Sequence, residues 1–260
     1  MTRQSVLYEV GDGVASITLN RPDRLNAFDR GMALAVQTRL DEASSDPDVR
    51  AVLITGTGKG FSAGQNLAEV TDPEGPGMAR ILSEHYNPIV TRIRSIPKPV
   101  VAAVNGVAAG AGANLALCCD IVLASEEASF IQAFSKIGLI PDSGGTWFLP
   151  RLIGWQKASA LMMTGDRVSA HEAERIGMVY KVLPAEGFAE SAMDLARTLA
   201  RMPTRSFAFT KQALNESSRR TLDEQLDLED KLQQQAAATR DYREGVDAFL
   251  AKRKPDFKGE

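Results

Sequence analysis

Histidine is nearly missing from this chain. Of 260 residues only His85 and His171 carry an imidazole, and neither stands at metal-ligand spacing from other donors. A histidine-rich zinc centre is therefore not expected. Cysteine is as sparse, and its two copies, Cys118 and Cys119, are adjacent. They cannot build a disulfide framework of the secreted type, so a reducing compartment is expected. Neither sign of charge dominates: 30 basic against 33 acidic residues leave a formal charge of -3, which argues against nucleic-acid binding. No apolar run reaches the roughly 18 residues of a membrane span, and the opening MTRQSVLYEV lacks the apolar core of a secretory leader. A soluble cytoplasmic protein, without membrane or nucleic-acid partners, is the expectation.

What is present is an ordinary globular balance, with 44% hydrophobic residues. The length suits one large domain, or one domain with an appendage. VLYEV and VASITLN alternate around GDG and predict a hairpin. The spacing of Met32, Val36 and Leu40 predicts a helix, and VRAVLITG a short buried strand running into the glycine-rich TGKGFSAGQNL. A helix is predicted over Ala79 to Arg94, then VVAAVNG as a strand, AAGAGANLALCC as a helix of small residues, and DIVLAS as a strand, with a short one at Ala128 to Gln132. Strands alternating with helices indicate α/β layering. From TWFLPRLIG onward the pattern is helical, ending in a long amphipathic run from Thr221 to Leu250 and a basic tail. The pattern divides into a core at 1–202 and a helical section at 203–260, too small for its own core and expected to pack on the core and on a neighbouring subunit.

Two glycine-rich segments, GKGFSAGQNL and NGVAAGAGANL, each follow a predicted strand. Neither fits a nucleotide-binding pattern: the P-loop ending and G-x-G-x-x-G are both absent. Small residues let backbone approach something closely. That something is either a packed helix or an oxygen held between two converging backbone N–H groups, which is an oxyanion hole. A third segment, KIGLIPDSGG, holds one carboxylate, Asp142, before a helical run. Locally it reads as a helix cap.

Together, FSAGQNL, KPVVAAVNGVAAGAGANLALCCDIVLAS and FSKIGLIPDSGGTWFLPRLIG resemble the crotonase, or enoyl-CoA hydratase/isomerase, superfamily. The resemblance extends through LNRPDRLNAF and REGVDAFLAKRKPDF to essentially the whole chain, and within the superfamily it is strongest to the phenylacetate-pathway isomerase branch. It implies a spiral of ββα repeats with a C-terminal helical region that forms trimers, often paired into hexamers. It implies an acyl-CoA thioester as substrate and no separate cofactor, coenzyme A being part of that substrate. The implied oxyanion donors are the N–H groups of Gln65 and Ala111. Arg24, Leu25, Ala27, Ala63 and Leu67 are the implied contacts to coenzyme A, with Phe249, Lys252 and Phe257 near its nucleotide end.

The departures are as informative. The two glutamates with which hydratases hold water fall at Asn114 and Phe134, neither of which can act as a base. Asp142 stands where the isomerases have their acid/base, and it also remains a candidate cap whose bonds would favour the ionised form. The implied activity is isomerisation, of 1,2-epoxyphenylacetyl-CoA to an oxepin-CoA or of an enoyl-CoA double bond. Enoyl-CoA hydration and non-catalytic acyl-CoA binding are the alternatives. Glu84, His85 and Tyr86 are candidates for an assisting acid. Asp120 and the paired cysteines read as structural.

Overall fold

The computed structural model describes residues 4–260, so the first three residues of the opening segment lie outside it. Strands β1 (Val6–Gly11) and β2 (Val14–Leu19) form the expected hairpin. Asp12 and Gly13 at its tip both have positive φ, the conformation whose twist matches a two-residue turn between strands. Helix α1 (Arg30–Ser45) is capped by the Asp29 side chain, which accepts from the Met32 N–H, and it buries Met32, Val36 and Leu40. Strand β3 (Ala51–Gly56) is followed at once by β4 (Gly60–Ser62), a three-residue strand inside the glycine-rich segment.

The uncertain stretch after it holds one turn of helix, α2 (Leu67–Val70). The predicted helix at 79–94 is a continuous helical run in three parts: α3 (Gly77–Arg80), a π-helical turn (Ile81–Tyr86), and α4 (Asn87–Ser95). Then come β5 (Val100–Val104), β6 (Val107–Ala109), α5 (Ala111–Leu117), β7 (Ile121–Ser125) and β8 (Ser129–Ile131). The helical half contains α6 (Gly145–Ile153), α7 (Trp155–Thr164), β9 (Arg167–Ser169), α8 (Ala170–Arg175) and β10 (Lys181–Leu183). It ends with α9 (Phe188–Ala200), α10 (Thr204–Ser217), α11 (Leu222–Ala237) and α12 (Arg240–Leu250).

Successive repeats place one strand in each of two sheets. The larger runs β1-β2-β3-β5-β7-β10 and is parallel beyond its first pair; the smaller runs β4-β6-β8-β9. This is the spiral of ββα repeats. The large sheet is buried on both faces, as β5 with five buried residues in a row demonstrates. Ile17, Ile54 and Ala102 point into the main core with α1 and α4. Their neighbours Leu53, Val101 and Ala103 point the other way, onto Phe188, Ala192, Ala196 and Ala200 of α9. Strand alternation thus assigns one helix to the back of the sheet. No helix of the described residues is long and apolar enough to cross a membrane.

Candidate active site

The small sheet brings the two glycine-rich segments together. β4 and β6 are parallel neighbours, pairing Gly60 with Val107 and Ser62 with Ala108, so the residues after them leave the same edge side by side. Gly64 has φ +84°, and a Cβ there would lie 2.8 Å from the Ala109 carbonyl oxygen and 3.3 Å from the Ala111 nitrogen. A Cβ on Gly112 would come within 2.5 Å of the Ser62 carbonyl oxygen. Glycine is required at both places because backbone touches backbone.

Which N–H groups face outward follows from strand alternation. The Gly64 carbonyl accepts from the Phe28 N–H (2.7 Å) and the Asn66 N–H donates to the Phe28 carbonyl (2.8 Å). The Gln65 N–H between them must point the opposite way. Ala111 is the first residue of α5, where an amide has no intrahelical acceptor. Among the described residues, neither N–H donates to a protein acceptor. Two adjacent free donors can hold one developing oxyanion. With α5 only seven residues long, the N–H groups themselves, more than a helix dipole, supply the attraction.

Polar side chains that the sequence did not advertise hold this edge in place. Asn26 is fully buried and donates to the carbonyls of Thr57 (2.9 Å) and Gly60 (2.8 Å), while its oxygen accepts from the Arg21 N–H. Ser62 donates to the Asn26 carbonyl and accepts from the Gly64 N–H. Leu25 and Asn26 both adopt left-handed φ, and the Leu25 carbonyl accepts from the Ala63 N–H (2.9 Å). The segment 24–28 thus runs along residues 63–66 of the turn, with Arg24 and Leu67 exposed and Ala27 buried. Phe249, Lys252 and Phe257 are not gathered there. Phe257 touches Gly245, and its carbonyl accepts from Arg50 (2.8 Å) at the start of β3, the end away from the glycine-rich turn. Phe249 stands exposed on α12.

Asp142 precedes α6, but the cap reading is overturned. The helix begins after Gly144 with no side-chain cap bond. Ser143 (φ +51°) and Gly144 (φ +77°) interpose a left-handed turn that carries the carboxylate away from the helix end. The Asp142 main-chain carbonyl, not its side chain, accepts from the Gly145 N–H (2.8 Å). The side chain accepts from the Ser143 hydroxyl (2.8 Å). Burial pushes its pKa above the usual carboxylate range, partly offset by that hydroxyl and by its own main-chain N–H. A desolvated carboxylate with little hydrogen bonding is a competent proton acceptor.

Around it, the two positions aligned with hydratase glutamates are occupied in a way that leaves no room for a base. The Phe134 ring reaches within 3.8 Å of where a Cβ on Gly110 would sit. Asn114 is fully buried, donating to the Asp142 carbonyl and accepting from Gln132, both at 2.8 Å. Of the assisting candidates, Glu84 is paired with Arg30 and Arg80, which hold its pKa at about 2, so it remains an anion. His85 and Tyr86 lie fully buried on the π-helical turn, and among the described residues the His85 Nδ1 and Tyr86 hydroxyl have no hydrogen-bond partner. Burial lowers the His85 pKa. The Tyr86 ring lies 5.7 Å from that of Phe28, and its pKa is raised by burial first and then by the Asp142, Glu69 and Asp29 carboxylates.

The chain is similar to known proteins over nearly its whole length. The Enoyl-CoA hydratase/isomerase family pattern matches residues 9–260. The chain is 49% identical over 257 residues to the 1,2-epoxyphenylacetyl-CoA isomerase of Escherichia coli K12, covering 98% of each. It is 37% identical over 246 residues to the 2,3-dehydroadipyl-CoA hydratase of the same organism, covering 95% of each. Among solved structures, a Mycobacterium abscessus chain described as an enoyl-CoA hydratase/isomerase superposes with a TM-score of 0.92 at 40% identity, over 98% of this chain and all of that one.

Proposed function

Because this chain belongs to the enoyl-CoA hydratase/isomerase family, whose chemistry is performed on acyl-CoA thioesters, we propose that it is the isomerase kind, with Asp142 as its acid/base. The carrying observation is the fate of the hydratase positions: Asn114 is spent on other amides and Phe134 is apolar. Neither can act as the base that activates water, and Asp142 is left as the desolvated carboxylate beside the turn.

In this reading the thioester oxygen lies between the N–H groups of Gln65 and Ala111. These stabilise the enolate as the ionised Asp142 removes a proton from the acyl chain. The same carboxyl returns the proton to a different carbon, so the double bond moves and no atom is gained or lost. With a 1,2-epoxyphenylacetyl group, the substrate in the name of the 49% identical relative, the enolate drives opening of the three-membered ring and expansion to an oxepin. Coenzyme A lies along Arg24, Leu25, Ala27, Ala63 and Leu67. The section at 203–260 packs on a neighbouring subunit, whose Phe249, Lys252 and Phe257 equivalents approach the nucleotide end in a trimer or a pair of trimers.

The test incubates the protein separately with epoxyphenylacetyl-CoA, a 3-enoyl-CoA and crotonyl-CoA in heavy-oxygen water. Isomerised products of unchanged mass, with little label in any product, are expected. No turnover of the first two sinks the isomerase reading, and rapid label uptake into crotonyl-CoA replaces it with hydration.

A further inference from the structure

We propose that Asn114 and Gln132 are a positioning pair for Asp142, an amide chain whose fixed polarity holds the acid/base turn in its left-handed conformation; this rests on the isomerase reading above. The Asp142 carbonyl can only accept hydrogen bonds, and it takes two, from the Gly145 N–H and from Asn114 Nδ2, each at 2.8 Å. Asn114 must therefore turn Oδ1 the other way, and Gln132 must meet it with Nε2 (2.8 Å). Each amide's orientation dictates the next.

Three further observations indicate that the chain is more than packing. Gln132 pays for it with a buried Oε1 that has no partner among the described residues, a destabilising arrangement that an apolar side chain of the same length would avoid. Ser143, a residue with a Cβ, is held at φ +51°, which persists only where its surroundings enforce it. Gly145 is the one residue type that fits: a Cβ there would lie 2.3 Å from Asn114 Nδ2. The latch, the strained turn and the glycine form one unit, and the carboxylate hangs from it. Asn114 has thus exchanged holding water for holding the peptide bond next to the acid/base. Restoring a glutamate there does not restore hydration, because a carboxylate would face the Asp142 carbonyl.

The decisive variant is Gln132→Glu, which changes no shape but reverses polarity. At a pH high enough to ionise it, a carboxylate at 132 accepts instead of donating, so Asn114 turns round and sets its oxygen against the Asp142 carbonyl. Turnover and amide hydrogen exchange are measured on the unchanged protein, on Gln132→Glu, on the uncharged Gln132→Met, on Asn114→Ala and on the double variant Asn114→Ala/Gln132→Glu. Expected are a kcat loss of about tenfold or more in Gln132→Glu and Asn114→Ala with KM within about threefold, as for a misplaced catalytic group. Gln132→Met should fall between them and the unchanged protein, and the double variant should be no worse than Asn114→Ala alone. Exchange across 142–149 should quicken while the large sheet stays protected. A folded Gln132→Glu or Gln132→Met that keeps both its kcat within twofold and its exchange at 142–149 overturns the latch. Exchange needs no turnover, so it decides the latch even if the unchanged protein isomerises nothing, a result that would count against the parent reading instead.

Discussion

Asp142 carries opposite demands from chemistry and from stability. Its pKa is raised chiefly by burial, so as the proposed base it should gain activity as pH climbs through that raised value. The folded protein, however, keeps this proton over a window where the unfolded chain has lost it. That stabilisation is present below the raised value and is lost as pH rises through it. Asp142→Asn should therefore cost the chemical step about a hundredfold to ten-thousandfold while leaving the melting temperature at pH 8 unchanged or higher. Paired melts at pH 5 and 8, with turnover on the same preparations, check both halves. Retained turnover together with a clear loss of stability at pH 8 would return Asp142 to a structural role. The sequence made this residue visible, since one carboxylate flanked by proline and small residues draws attention. It hid the geometry: a serine at φ +51° has no compositional sign, and the expected cap disappeared with it. Asn26, Ser62 and Gln132 were hidden for a similar reason, being common polar residues whose partners are set by the fold.

Among the elements, those with enough residues to show a period were legible and, β8 apart, the shortest were not. The Met32, Val36 and Leu40 stripe marks α1 plainly, but β4, β6, β9 and β10 have three residues each, too few for alternation to register. The long run from Thr221 hid a break because its amphipathic character continues across Ala238, where Thr239 caps the next helix by accepting from the Tyr242 N–H. Long-range polar ties were equally silent. Asp120 reads as structural, and it is, but its partners lie far along the chain. One oxygen accepts from Arg94 (2.9 Å), and the other from the Val100 N–H (2.9 Å) and Lys211 (2.7 Å) on α10. Arg94 also reaches Asn215, so both Lys211 and Asn215 tie α10 to the core. Lys211→Met keeps the apolar stem and removes the ammonium. It should lower unfolding stability by about 1–3 kcal/mol, the usual range for leaving a buried acceptor short of a partner, with Arg94 still in place to limit the damage. Urea unfolding measures it, and a loss under about 0.5 kcal/mol would mean the tie is idle.

At the scale of the whole molecule, folding leaves bulky apolar side chains exposed on the C-terminal helices as well as along 137–163. An open cavity of about 1210 Å³ lies among α10, α11 and α12, with Phe209, Leu226 and Val246 in its walls. Leu214, Phe249 and Leu250 border it at 65%, 84% and 74% exposure, bulky apolar side chains that a partner surface would cover. Sequence resemblance put Phe249 at the coenzyme A nucleotide, yet its own chain holds it away from the glycine-rich turn. Both facts fit one arrangement, in which the helical ends of neighbouring copies cover each other and bring their tails to one another's substrate. The combined Phe249→Glu and Leu250→Glu variant puts two charges onto that face. It should shift the assembly toward the 28.1 kDa protomer in light scattering, with the large sheet intact by circular dichroism. If the tail also serves a neighbour's site, KM for the acyl-CoA should rise on dissociation more than kcat falls, because Asp142 and the Gln65–Ala111 pair all belong to one chain. An unchanged assembly mass in the folded variant would place the subunit contact elsewhere, and unchanged KM in a dissociated one would detach the tail from coenzyme A.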